Sequence, residues 1–146
     1  MAKSIRNYTS RQPVNLSIAK IQELLVANGA QAVLMNYEQG TGRIESLSFQ
    51  ISLEEKMLSF KLPVNWKKFQ EVLQKDRVYR CDDIDHIMRV AWKNMYDWVD
   101  IQMTMYRLKQ AELVEIFLPY VIVNNQGDTL YKKFQENPKL LLGSGN

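Results

Sequence analysis

Two side chains in the sequence have the types that nucleophilic catalysis uses, Cys81 and His86. A thiol at a helix start can be acidified by the helix dipole, but Asp82, Asp83 and Asp85 put negative charge where a thiolate would form. Five residues apart on a helix, the two side chains also point in different directions. All five residues are metal-ligand types, yet the chain has one Cys and one His, and acids at a helix N-terminus are already accounted for by capping. Gly40 and Gly42 lack the spacing and the Lys-Ser/Thr pair of a phosphate loop. The chain is therefore expected not to be an enzyme, and to need neither cofactor nor metal.

A second set of residues points to binding. Lys67, Lys68, Lys75, Arg77 and Arg80 cluster in sequence with Trp66 and Tyr79 among them. Cations neutralise phosphates and release counterions, and an exposed aromatic ring can stack on a base, so this set is the candidate nucleic-acid-binding face. A third set, Trp92, Tyr96, Met103 and Tyr106, lies on a long apolar helix and is the candidate interface with another protein or a second copy of the chain.

These sets must be positioned by a small number of elements. At 146 residues with 46% hydrophobic and 24% charged residues, one globular domain is expected, able to bury roughly two thirds of its unfolded surface without disulfides. A single cysteine is compatible with a reducing cytoplasm. The N-terminal sequence is basic and polar, without the apolar stretch of a signal peptide. Residues 1–12 read as a mobile arm and residues 139–146 as a frayed tail. Ile18, Ile21, Leu24 and Leu25 recur at helical spacing and Gly29 supplies a stop, which predicts a first helix over residues 17–28. Three strands follow, at 31–38, 43–51 and 56–62. Leu47, Phe49 and Ile51 alternate with polar residues in the second, and Leu58, Phe60 and Leu62 do so in the third. Ile44 is out of step with Leu47, which predicts a bulge near Glu45. Trp66, Phe69, Val72 and Leu73 mark an amphipathic second helix over 65–75.

From Asp82 to Leu118 the chain contains no Gly and no Pro. This stretch predicts one long helix or two nearly collinear ones, about 50 Å in all at 1.5 Å per residue, more than one small domain covers; the second stripe of Leu108, Ala111, Val114 and Leu118 beyond Thr104 also allows a separate helix after a bend. Self-association is the natural way to bury the remainder. Asp85, Arg89, Lys93 and Asp97 recur every four residues along its wet face, and its many charges exclude a membrane span. After Pro119, residues 120–123 predict a short strand or strap, 124–128 a turn, and 129–136 a last short helix.

The order of helix, three antiparallel strands and helix resembles that of the double-stranded RNA-binding domain. In that family lysines at the start of the second helix contact phosphates, the place Lys67 and Lys68 hold here. The long third helix is foreign to that family, and Gln39 to Gly42 has no counterpart of its histidine-bearing loop. The segments Phe60-Lys61-Leu62-Pro63-Val64-Asn65, Arg89-Val90-Ala91-Trp92-Lys93, Asp97-Trp98-Val99, Phe117-Leu118-Pro119-Tyr120 and Thr129-Leu130-Tyr131 together resemble a group of small uncharacterised bacteriophage and prophage proteins. That group has no established activity, so no functional residue is carried across. The resemblance implies a bacterial cytoplasmic setting and an accessory role.

The sequence thus predicts a single α+β domain, a three-stranded antiparallel meander packed by helices in the order α-β-β-β-α-α(long), with a short C-terminal helix. Its expected partner is nucleic acid, held by the basic face. The alternative is a host or phage protein, held by the long helix or a sheet edge. A homodimer is expected, and no membrane.

Overall fold

A computed structural model of the chain describes residues 3–139. Pro13, whose missing N–H is no loss at a helix start, precedes α1 (Val14–Ala27), and its carbonyl accepts from the Leu16 and Ser17 amides. The helix therefore begins about a turn earlier than its sequence suggests. Ser17 is buried with Ile18, Ile21 and Leu25, and its hydroxyl accepts from the Gln12 side chain at 2.8 Å.

Strands β1 (Ala30–Tyr37), β2 (Ile44–Leu53) and β3 (Lys56–Pro63) form an antiparallel sheet in the order β1-β2-β3. The register sets Phe49 between Val33 and Phe60, and Leu47 between Met35 and Leu62, so one face is continuous apolar core. On the other face Asn36 donates to Ser46 and Ser48, and Gln50 donates to Ser59. Asn36 pairs with Ser46 but Tyr37 with Ile44, which leaves Glu45 as the extra residue of the expected bulge.

The second helix is α2 (Trp66–Asp76), and the third, α3 (Ile84–Arg107), packs against both α1 and α2. In its first half His86, Ile87, Met88, Val90, Ala91 and Trp92 are all buried, so the helix is enclosed on nearly every side there. It does not run on to Leu118. Lys109 adopts a left-handed conformation (φ 61°), its amide bonds to the Tyr106 carbonyl, and the Gln110 amide reaches back to Met105 at 2.9 Å. This pattern is a Schellman stop, built without the usual glycine. A new short helix, α4 (Leu113–Phe117), starts with a reciprocal capping box between Glu112 and Glu115.

The corner returns Phe117 to the core, where its ring meets Phe49 at 4.9 Å and Phe60 and Trp98 at 6.0 Å each. After a 3-10 turn (Leu118–Tyr120) the strap lies along the outer edge of β3. Val121 bridges Phe60, and the Ile122 amide donates to the Ser59 carbonyl. Helix α5 (Leu130–Glu136) is capped by the Thr129 hydroxyl.

The N-terminal segment, expected to be a mobile arm, is instead docked. Ile5 and Tyr8 pack on the core, Ser4 donates to Asp76 at 2.6 Å, and Asn94 donates to the Arg6 carbonyl. Asp97 accepts from Arg6, Asn7 and Lys93 at 2.8 Å each. Composition suggested a solvated terminus because its polar residues have partners far away in sequence. Of the tail expected to fray, residues 140–146 lie outside the described residues.

Candidate functional site

An open groove of about 730 Å³ lies beside the start of α1, where four other parts of the chain meet: the end of the arm, the β1–β2 hairpin, the α2–α3 connector and the first turns of α3. Each part contributes one arginine: Arg11, Arg43, Arg80 and Arg89. Asp85 is the one carboxylate in the lining. The volume falls within the roughly 300–1,000 Å³ of ligand-binding clefts.

Local structure positions each cation. Arg11 follows the docked arm, whose last anchor is the Tyr8 carbonyl on the His86 ring Nε2, 2.7 Å away. A carbonyl only accepts, so Nε2 carries a proton and donates it. The buried His86 is thus committed to holding the arm, and its ring also meets Tyr79 edge-on. Gln12, next to Arg11, is fixed by Ser17 and by the Lys20 ammonium.

Arg43 closes the hairpin, which is clamped to α2. The Trp66 indole donates to Glu38 at 2.8 Å, and Thr41 donates to the same carboxylate. These two hydrogen bonds, the indole's first, hold the Glu38 carboxyl below its ordinary pKa. The Arg43 guanidinium lies 5.7 Å from the Trp66 ring centroid. Arg80, in a left-handed conformation (φ 53°), sits over the Tyr79 ring at 5.4 Å and 3.6 Å from Asp83. Arg89 is half-buried, one helical turn beyond Asp85. Among the described residues Arg11, Arg43 and Arg89 form no ion pair.

Four guanidiniums, of which Arg80 alone is ion-paired among the described residues, offer planar, forked donors suited to phosphate or carboxylate oxygens. Tyr37 and Tyr79 flank it, 53% and 50% exposed.

The basic residues singled out from sequence do not share this one site. Arg80 lines the groove. Lys67 adjoins it, its ammonium 5.9 Å from the same Trp66 ring that Arg43 covers. Lys68 and Lys75 are exposed on the outer face of α2, and Arg77 is its exposed left-handed cap. None of these three lines the groove.

The interface set is corrected more sharply. Trp92 and Met103 are buried inside the chain's own fold, so neither offers a surface to a partner. Among the described residues the Trp92 indole N–H has no hydrogen-bond partner. Tyr96 is half-buried between the ammonium groups of Lys20 and Lys93, and Tyr106 is half-buried. The exposed apolar residues at that end of α3 are Ile101, Met105 and Leu108. The expectation of a dimer rested on a helix reaching Leu118, and the stop at Lys109 removes that premise.

Cys81 is half-buried at the end of the connector. Among the described residues no three His, Cys, Asp or Glu side chains gather as a metal-ligand set. No helix among them is long and apolar enough to cross a membrane.

Sequence reading missed Arg11, Arg43 and Arg89 as site residues. They are isolated cations far apart in the chain, and only the fold brings them together. The one usable signal was Arg89 in the every-fourth-residue charged row. No family model, curated protein or solved structure compared with the chain matches it, so the likeness to phage and prophage proteins rests on the segments quoted above. The α-β-β-β-α order of the double-stranded RNA-binding domain is present, with α3 packed against both flanking helices.

Proposed function

We propose that the chain is a non-enzymatic nucleic-acid-binding protein that takes the phosphate backbone into the arginine groove. The observation that carries this reading is the convergence of Arg11, Arg43, Arg80 and Arg89 from four separate elements around one open groove, with Asp85 the one opposing charge in its lining. Lys67, beside Arg43 across Trp66, extends the same basic surface toward the start of α2. The accessory role in a phage or prophage programme is what the sequence resemblance implies.

The test is salt-dependent binding. Four phosphate contacts give a slope of log affinity against log salt of roughly −3 to −4. Reversing three groove charges (Arg11→Glu, Arg43→Glu, Arg89→Glu) lowers affinity at least about tenfold and flattens that slope. The control, Lys68→Glu, Lys75→Glu and Arg77→Glu, makes the same change in net charge outside the groove and shifts affinity by no more than about threefold. Equal losses in both triples would mean that net charge, not the groove, attracts the ligand.

The second reading is a protein-interaction module. It is favoured by β1, which among the described residues pairs with β2 alone and leaves its other edge open, with Leu34 and Tyr37 exposed. It predicts a defined protein that co-purifies after nuclease treatment and is lost when Leu34 becomes Lys.

A further inference from the structure

Resting on the reading of the groove as a phosphate site, we infer that it takes nucleic acid as a single strand, with bases laid on Tyr37 and Tyr79.

Shape is the first reason. A duplex is a stiff convex rod, and proteins that read it project a helix or a ribbon into a major groove about 12 Å wide. Here the arginines line a depression, and Arg89 is half-buried within it, set against the buried Met88 and His86. A rod rests on the rim of such a depression and leaves its floor empty. A single strand can bend into it and bring phosphates to Arg89 while its bases turn outward.

The second reason is the pair of tyrosines. They come from different elements, the end of β1 and the α2–α3 connector, and both line the groove half exposed. Burial usually claims aromatic rings, and two left half open beside a cluster of guanidiniums are platforms for flat ligands. Tyr79 already carries the Arg80 guanidinium at 5.4 Å, the contact a cation makes with a π-face and one that a stacked base can extend. Every base has such a face, so the site distinguishes unpaired from paired strands rather than one sequence from another.

The clamp from Glu38 to Trp66 and the seating of Tyr8 on His86 fix both sides of the groove before any ligand arrives. Among the described residues the two tyrosine hydroxyls make one hydrogen bond, from Tyr37 to the Met35 sulfur, and it is long at 3.9 Å. The Tyr79 ring also meets His86 edge-on, so unchanged polyphosphate competition is what shows that replacing the rings leaves the groove in place.

The experiment measures fluorescence anisotropy of labelled oligo-dT, alone and annealed to oligo-dA, with inorganic polyphosphate as a competitor that has phosphates but no bases. The single strand is expected to bind at least about tenfold tighter than the duplex. The pair Tyr37→Ala and Tyr79→Ala is expected to lose about tenfold for oligo-dT with polyphosphate competition unchanged, and Tyr37→Phe with Tyr79→Phe to retain affinity. Equal binding of single strand and duplex, or no loss in the alanine pair, overturns the single-strand inference. In that case the phosphate site still stands if polyphosphate binding is lost in the three-arginine variant. Polyphosphate binding indifferent to those arginines removes the site and this inference with it.

Discussion

Asp97→Asn tests how the arm is held, and its size follows from the site. The Asp97 side chain is 12% exposed. Burial pushes its pKa up, but hydrogen bonds from Lys93, Asn7 and Arg6 outweigh that and bring it from 3.8 down to about 2. A shift of somewhat under two units, at 1.36 kcal/mol each, corresponds to about 2 kcal/mol of folding stability. The folded pKa lies below the unfolded one. The contribution is therefore fully present above about pH 5 and disappears as pH falls from about 4 through about 2.

The asparagine keeps the shape but presents an amide nitrogen that cannot accept from these donors. Urea denaturation near pH 7 is expected to show the variant about 2 kcal/mol less stable, with most of the gap closed near pH 2, where the wild-type carboxylate is itself about half protonated. Asp128, held to about 2 by Lys132 and Asn124, adds acid sensitivity of its own, but it is present in both proteins and cancels in the difference. Because Arg11 reaches the groove through the same arm, the variant also weakens oligonucleotide binding and exposes Arg6 and Arg11 to trypsin. A stability gap that stays constant from about pH 7 to about pH 2, or no gap at all, would refute this account of the arm.

Two further expectations concern the chain's return from α3. Phe117→Ala removes a fully buried ring that touches Phe49, Phe60 and Trp98, and a cost of about 3–5 kcal/mol is expected by chemical denaturation. A cost below about 1 kcal/mol would show that the corner closes over the gap. Lys109→Gly relieves a left-handed lysine at φ 61° and is expected to stabilise by up to about 1 kcal/mol, raising the melting temperature by about 2–4 °C. Destabilisation instead would mean that the Lys109 side chain makes a contact worth more than its backbone strain.

The meander was legible because period-two alternation with a bulge at Glu45 has few other readings, and β2 carries that pattern through Leu47, Phe49 and Ile51. The second apolar stripe beyond Thr104 allowed a separate helix after a bend, but the residue at which α3 ends was not legible. Its stop uses a lysine where glycine is usual, so the sequence carries no breaker. The Glu112 and Glu115 capping box was the available sign that a new helix begins. The site was harder still. Lys67, Lys68, Lys75, Arg77 and Arg80 are neighbours in sequence and so attracted attention together, but α2 disperses them over its outer face and its far end. Trp92 looked like an interface residue because an apolar stripe does not say which neighbour covers it.

The charged row of α3 explains why the groove lies where it does. Asp85, Arg89, Lys93 and Asp97 emerge on one line because the rest of the first half of the helix is enclosed. The arm lies on the second half of that row, where Arg6, Asn7 and Lys93 satisfy Asp97. The first half is left open. There Asp85 and Arg89, a helical turn apart, form no ion pair among the described residues, and three arginines from the arm, hairpin and connector arrive beside them. If charges on this helix served only solubility, pairing would be expected along its whole length, as it is found at Asp97. A fold that neutralises one half of a row and adds like charges to the other bears a cost in self-repulsion, which an anionic ligand in the groove would offset.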